Sequence, residues 1–84
     1  MANYFVYILT CVDNTLYTGI TNDLESRLAA HNSGKGAKYT RNRIPAALSY
    51  MEICESKSVA LRRELEIKKM TREEKLQLIE IRRG

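Results

Sequence analysis

Two β-rich runs near the start of the chain constrain the fold more than any other feature. The first run covers Tyr4 to Val12, the second covers Leu16 to Thr21, and Asp13-Asn14-Thr15 lies between them. Tyrosine, phenylalanine and β-branched residues suit a pleated strand, while Asp and Asn tolerate a tight turn. The pattern therefore predicts a β-hairpin, with Tyr7 on its first strand and Tyr17 on its second.

A short helix is predicted directly after the hairpin. Asn22 is a suitable N-cap, and Glu25, three residues later, completes a capping box. The helix is expected from about Asp23 to Asn32, because Gly34 is a suitable terminator in the left-handed conformation.

The side chains of this helix divide into an apolar stripe and a polar face. Leu24 and Leu28 form the inward stripe, and Arg27 and His31, spaced i and i+4, share a face beside it. Because the helix follows the second strand almost directly, Arg27 is expected close to Tyr17.

The net charge of +4 is unevenly distributed. Residues 26–51 contain five basic side chains and no acid, a single-sign field that would attract phosphates. The stretch 34–45 is too polar and irregular for a core element, and it interleaves Tyr39 with basic residues. The predicted nucleic-acid-binding residues are Lys35, Lys38, Tyr39, Arg41 and Arg43. An ordinary solvated cationic loop is the alternative.

Eighty-four residues predict one domain, residues 1–84, with a small core. The sequence has no apolar run long enough to span a bilayer, and we expect a soluble, cytoplasmic protein without a membrane partner. Cys11 and Cys54 lack the C-x-x-C spacing of a metal or redox site, so both are expected to be buried and reduced.

The remaining elements are a third strand and two helices. Residues 46–54 form the strand, and their apolar side chains on both faces predict helices covering part of each side of the sheet. Ser56 or Ser58 caps a helix that extends to about Met70. Thr71 to Glu74 is a second capping box, and it begins a final helix whose inward residues are Leu76 and Ile79.

Glu64 is predicted on the apolar side of the helix at 57–70. At about 100° per residue, it is flanked by Ala60 and Ile67 on one side and by Leu61 and Leu65 on the other. A bare carboxylate is costly to desolvate. An ion pair with Lys68 or an arginine is one possible compensation, and a divalent cation is the other.

In this order, the motifs resemble those of the GIY-YIG nuclease superfamily, especially its small single-domain bacterial members. Phe5-Val6-Tyr7 occupies the position of the first triplet of the family motif, with Phe5 where glycine is usual. Tyr17-Thr18-Gly19 occupies the position of the second triplet. Arg27 and His31 match positions of the family's active-site arginine and a frequent histidine. The block around Glu64 resembles the one whose glutamate binds the metal.

The resemblance implies an α/β fold, a three-stranded antiparallel sheet flanked by helices, which agrees with the order β-β-α-β-α-α. It also implies a metal-dependent endonuclease, with DNA favoured over RNA as its substrate and one Mg²⁺ or Mn²⁺ held by Glu64. Arg27 would clamp the phosphate, Tyr7 and Tyr17 would surround the attacking water, and His31 would assist proton transfer or contact the phosphate. The resemblance does not indicate which tyrosine takes the proton, and there is no sign of a small-molecule cofactor.

Two other function classes stay open at this point. One is a nucleic-acid-binding module of the same fold that cleaves poorly or not at all. The other is a protein-interaction adaptor that docks through the capped C-terminal helices.

Overall fold

The computed structural model describes residues 3–35 and 43–83. The elements are β1 (Tyr4–Thr10), β2 (Leu16–Thr21), α1 (Leu24–Asn32), β3 (Ala47–Cys54), α2 (Lys57–Lys68) and α3 (Arg72–Arg83). The α/β fold and the order β-β-α-β-α-α are confirmed. No helix in these residues is long and apolar enough to cross a membrane.

The three strands form one sheet in the order β2-β1-β3, so that β1 is central. Both pairings are antiparallel, and Tyr7 lies opposite Gly19 on β2 and Met51 on β3. Successive side chains of a strand point to opposite faces. Val6 therefore shares one face with Ile8, and Tyr7 lies on the other.

Helices cover both faces, as predicted. The α2–α3 face has a core made of Val6, Ile8, Tyr50, Cys54, Ala60, Ile67 and Ile79. The opposite face has a smaller core of Tyr7, Leu9, Cys11 and Ala46, against which Leu24 and Leu28 of α1 pack. Cys11 and Cys54 are buried free thiols, which agrees with their predicted role as apolar core residues.

The predicted cap of α1 is wrong by one residue. Asp23, and not Asn22, is the N-cap, and its carboxylate accepts hydrogen bonds from the backbone N–H of Ser26 at 3.2 Å and from the Ser26 hydroxyl at 2.9 Å. Thr21 fixes this register because its Oγ1 accepts a bond from the Asp23 N–H at 3.1 Å. Gly34 follows the helix with a φ of 81°, as predicted.

The other two caps follow the sequence. Ser56 caps α2 by accepting a hydrogen bond from the Val59 N–H at 3.2 Å. At the start of α3, the Thr71 N–H donates to Glu74 at 2.8 Å and the Glu74 N–H donates to the Thr71 hydroxyl at 3.2 Å. The predicted capping box is therefore present in both directions.

Three leucines expected on inner faces are more exposed than predicted. Leu76 is 42% exposed, whereas Ile79 is buried, because α3 turns Leu78 and Ile79 toward the core. On α2, Leu61 and Leu65 are also exposed. The buried stripe of α2 is thus narrower than the sequence suggests, and Glu64 lies at its margin.

Candidate active site

Tyr7 lies at the centre of the sheet and turns its ring toward β2. The ring lies over Gly19, where a Cβ atom would be 2.7 Å from the Tyr7 Oη and 2.9 Å from its Cζ. Such distances are closer than real Cβ contacts, so only glycine leaves room for the tyrosine in this pose. The close approach of Tyr7 therefore explains why position 19, which was predicted as a motif residue, is a glycine.

Two side chains of α1 converge on the Tyr7 hydroxyl. Arg27 donates a hydrogen bond from its Nε at 3.4 Å, and His31 places its Nε2 3.1 Å from the same oxygen. Their i, i+4 spacing puts both on one face of the helix, and the packing of Leu24 and Leu28 holds that face toward the sheet. The structure brings together the predicted Tyr7, Arg27 and His31.

Tyr17 completes a cluster of three rings. Its ring centroid lies 6.3 Å from that of Tyr7 and 5.2 Å from that of His31, and the histidine is oriented edge-on to both tyrosines. The three residues of the cluster differ in their exposure to solvent. Tyr7 and His31 are 1% and 0% exposed, whereas Tyr17 is half-buried. Water or substrate therefore reaches Tyr17 more readily, and His31 is not placed to touch a phosphate in this conformation.

The buried environment also shifts the protonation of the cluster. Burial raises the pKa of Tyr7, and the Arg27 hydrogen bond opposes that shift without overcoming it. The pKa of Arg27 is raised, chiefly by its bond to Tyr7. Burial, helped by the charge of Arg27, lowers the pKa of His31. At neutral pH, Tyr7 is therefore protonated, His31 is neutral and Arg27 is charged.

A neutral histidine can accept the tyrosine proton in a hydrogen bond. When its proton is on Nδ1, Nε2 is an acceptor, and the Tyr7 hydroxyl then donates to His31 while accepting from Arg27. In this arrangement the buried Tyr7 hydroxyl donates one hydrogen bond and accepts another. The bond from Arg27 also fixes the orientation of its guanidinium group.

Glu64 lies on α2, and its side chain is 16% exposed. Lys68 Nζ is 3.2 Å from its Oε2, so the ion pair considered from the sequence is present. Arg63, the neighbouring arginine, pairs with Glu52 instead, at 2.9 Å. The charge of Glu64 is also the weakest of the causes that raise the pKa of Tyr7, which puts the carboxylate within electrostatic range of that hydroxyl.

The donor set of this site fits a divalent cation only in part. The described residues contain no group of three or more His, Cys, Asp or Glu side chains arranged to hold a metal. Mg²⁺ commonly uses one or two carboxylates and completes its shell with water and substrate phosphates. Glu64 alone suits such a shared site, and does not suit a cage built by the protein alone.

The predicted phosphate-binding segment is only partly described. Lys38, Tyr39 and Arg41 lie outside the described residues, and Lys35 is exposed just after α1. Arg43 forms an ion pair with Asp13 in the hairpin turn, and its backbone carbonyl accepts a hydrogen bond from the Val12 N–H at 3.1 Å. Its charge is therefore partly balanced within the protein.

Asn32 has a structural role that the sequence did not indicate. Its side chain donates to the Ala46 carbonyl at 3.0 Å and accepts from the Ala46 N–H at 2.6 Å. These two bonds join the end of α1 to the residue that precedes β3. They therefore hold together the residues on either side of the basic stretch 34–45. An asparagine at a helix end is common for local reasons, and the sequence has no signal for a partner 14 residues away.

Comparison with known proteins places these motifs in a family. The family model described as the GIY-YIG catalytic domain matches residues 3–77. A UPF0213 protein of Staphylococcus haemolyticus is 56% identical over 82 residues, covering 98% of this chain and 100% of that protein. A UPF0213 protein of Clostridium perfringens is 60% identical over 75 residues, covering 89% and 81%.

Solved structures agree with this relationship. The solution NMR structure of a UPF0213 protein from Bacillus halodurans is 47% identical, with a TM-score of 0.62, covering 94% of this chain and 84% of that one. The solution NMR structure of a protein from E. faecalis is 40% identical, with a TM-score of 0.67, covering 96% and 86%. The chain belongs to the GIY-YIG catalytic domain family.

Proposed function

We propose that the protein is a metal-dependent endonuclease that hydrolyses phosphodiester bonds of nucleic acid, with DNA as its substrate. One observation carries the proposal: Arg27, Tyr7 and His31 form a hydrogen-bonded chain beside the half-buried Tyr17. Membership of a family of nuclease-like catalytic domains supports the same reaction class.

Arg27 is the proposed phosphate clamp. Tyr7 engages its Nε, so the terminal nitrogens are the part of the guanidinium that would meet phosphate oxygens. A guanidinium can bind an anionic oxygen pair through two parallel hydrogen bonds, and it keeps its charge at any relevant pH. It would thus balance the negative charge that accumulates on phosphorus as water attacks.

Tyr17 is the tyrosine that we place next to the attacking water. It is half-buried, whereas Tyr7 is buried, protonated and already bonded to Arg27 and His31. In this arrangement Tyr7 is a positioning residue, which orients the arginine, and His31 holds Tyr7. The Tyr17 oxygen would orient the water and, once its own proton has been lost to solvent, accept the proton that the water releases.

Glu64 is the residue that we propose to hold the cation, Mg²⁺ or Mn²⁺, together with phosphate oxygens of the substrate. When bound, the cation would supply counter-charge and a water of lowered pKa. Glu64 would exchange its Lys68 partner for the metal, which is feasible because Lys68 is 52% exposed and can turn into solvent. The basic residues Lys35, Lys38, Arg41 and Arg43, with Tyr39, remain proposed contacts for the nucleic acid.

A cleavage assay with a matched arginine control tests the function. Labelled duplex, nicked, branched and single-stranded DNA and RNA are incubated with the protein in Mg²⁺ or Mn²⁺. Arg27→Lys keeps the charge but loses the planar fork, and we expect a loss of about 10²–10³-fold in turnover. Arg62→Lys makes the same change on an exposed position of α2 and should cleave like the wild type.

The outcomes of this assay separate activity from contamination. Cleavage that survives Arg27→Lys unchanged would come from another nuclease in the preparation and would leave the proposal without support. No cleavage of any substrate by the purified wild type, with either metal, would refute it.

A second candidate is a nucleic-acid-binding module of the same fold that does not cleave. The observation in its favour is the Glu64–Lys68 ion pair, which places an ammonium group where a metal would bind. This candidate predicts binding with the salt dependence of phosphate contacts but no metal-dependent products.

A further inference from the structure

Two adjoining depressions run along β2, one of the two edge strands of the sheet, on the side of α3. One has a volume of about 210 Å³ and is lined by Thr15, Leu16, Arg72 and Lys75. The other has a volume of about 260 Å³ and is lined by Leu16, Tyr17, Thr18, Lys68 and Lys75. They share Leu16 and Lys75, and we call the combined feature the β2 groove.

The lining of the β2 groove is basic. It contributes the cations Lys68, Arg72 and Lys75 and no acidic side chain. Among the described residues, Arg72 and Lys75 have no ion pair within 4.0 Å, whereas Lys68 is paired with Glu64. Two of the three charges are therefore not balanced by a close acid.

The acidic side chains near the β2 groove interact with other partners. Glu74 accepts a hydrogen bond from the backbone N–H of Thr71 at the start of α3. Asp13, close to Thr15 in the hairpin turn, is paired with Arg43. Neither carboxylate is arranged as a partner for the groove cations. The positive potential of the groove is therefore available to an anionic ligand.

The β2 groove is continuous with the candidate active site. Tyr17 lines the groove and packs against His31 in the ring cluster. Lys68 lines the same groove and contacts Glu64. The groove thus begins beside the two residues proposed to meet water and metal, and it leads along β2 to Thr15 at the hairpin turn.

A buried polar group lies at the floor of the groove. The Thr18 side-chain oxygen is buried and has no hydrogen-bond partner among the described residues. Buried hydroxyls are normally bonded to protein or to ordered water.

We propose that the β2 groove binds the phosphodiester backbone of the nucleic-acid strand that flanks the scissile phosphate. The inference rests on the proposed function for the identity of the ligand. Phosphate contacts from lysine, arginine and hydroxyl groups position a nucleic acid without reading its sequence. The groove supplies such donors in Arg72 and Lys75, whereas the hydroxyl of Thr15 at its far end already donates to Asp13. Its two depressions follow β2 and do not form one closed cavity. This shape suits an extended phosphodiester backbone better than a small anion.

Binding without cleavage tests the inference directly. Fluorescence anisotropy with labelled DNA, single-stranded and duplex, is measured in EDTA over a range of salt concentrations. The test variant is Arg72→Gln with Lys75→Gln, which keeps long side chains and removes two charges. Lys57→Gln with Arg62→Gln is the matched control, because both residues are exposed on α2 and do not line the groove.

Loss of two phosphate contacts should reduce the slope of log affinity against log salt by about 1.4 for single strands and about 1.8 for duplex. If the affinities converge at 1 M salt, binding at 0.1 M weakens by about 25- to 60-fold. The control should change the slope much less. Amide NMR signals of Thr15 and Leu16 should shift in the wild type when DNA is added.

Several results would overturn the inference. These are a groove variant with wild-type slope and affinity, equal losses in the groove and control variants, or a wild type that binds no nucleic acid. Circular dichroism of both variants confirms folding. If binding depends on the groove but Mg²⁺ and Mn²⁺ give no cleavage, the groove stands and the proposed nuclease activity fails, so the two failures are distinguishable.

Discussion

Replacing Gly19 by alanine tests the packing of the candidate site with a single methyl group. The new Cβ would lie 2.7 Å from the Tyr7 Oη, 2.9 Å from its Cζ and 3.1 Å from Cε2 of Tyr17. Tyr7 is 1% exposed and packed in the smaller core, so its ring cannot move away freely. Overpacking of this kind costs about 1–3 kcal/mol. At about 4–8 °C per kcal/mol for a domain of this size, the melting temperature should fall by about 5–20 °C.

The same substitution should disturb the hydrogen-bond chain. Displacement of the Tyr7 ring lengthens its contacts with His31 and Arg27, which are 3.1 Å and 3.4 Å in the wild type. Water then reaches the imidazole, and its pKa should rise toward the ordinary value because burial is the main cause of its lowering. His31 is the only histidine in the chain, so a proton NMR titration reports it without ambiguity.

Gly34→Ala is a matched control for the added methyl group. Gly34 has a φ of 81°, and no atom lies within 4 Å of the place that an alanine Cβ would take. The cost there is therefore backbone strain of about 1–2 kcal/mol, and the pKa of His31 should stay unchanged. Adding Tyr7→Phe to Gly19→Ala removes the closest atom and should recover part of the lost stability. A Gly19→Ala protein with wild-type melting and an unchanged His31 pKa would refute the packing argument.

Three further predictions concern individual members of the site. Tyr7→Phe should cost about 0.5–1.5 kcal/mol of stability in thermal or denaturant unfolding because a buried hydrogen bond is lost. Tyr17→Phe, at a half-buried position, should cost less stability than Tyr7→Phe and should lose cleavage. Burial lowers the pKa of His31, so below pH 6.5 the unfolded chain binds more protons and stability should fall with acidity. The slope is at most about 1.4 kcal/mol per pH unit, and His31→Gln should flatten the melting profile above about pH 4.5, where Asp and Glu begin to titrate. Glu64→Gln should cost no more than about 1 kcal/mol, since Lys68 is largely solvated, and it should abolish the rise in melting temperature that Mn²⁺ and a non-hydrolysable oligonucleotide produce together.

Local patterns in the sequence predicted the elements and the residues that converge in the site. The hairpin follows from two β-rich runs, and the convergence of Arg27 and His31 on Tyr7 follows from their i, i+4 spacing on one face of α1. The Thr71–Glu74 capping box also formed as the sequence predicts. Each of these features depends on residues within one or two turns of chain, where local geometry decides the outcome.

The errors arose where several local solutions are equally good. Asn22 and Asp23 are both strong helix caps, and the hydrogen bond from Asp23 to Thr21 at the end of β2 selects the second. Leu76 and Ile79 are both apolar on α3, but the angle at which the helix docks decides which one is buried. Neither the end of a strand nor a docking angle is contained in a short sequence window.

The protonation of Tyr7 also depends on information that lies outside any motif. The sequence shows a tyrosine on a strand, and the spacing of the motifs suggests a catalytic residue. The strand register then puts this ring over Gly19 and beneath α1, and burial raises its pKa. A pattern of residue types can therefore indicate which side chains meet, but not which of them remains in contact with solvent.

Exposure sets the direction from which a nucleic acid could approach. Tyr7 and His31 are sealed between the sheet and α1, whereas Tyr17 is half-buried on the edge strand and Arg27 is exposed. A scissile phosphate that contacts both Arg27 and Tyr17 must come from the β2 edge, because β1 is covered by neighbouring strands. A nucleic-acid strand that enters from that edge would next meet Lys68 and then Lys75 in the β2 groove. The direction of approach and the basic lining of the groove therefore lead independently to the same side of the molecule.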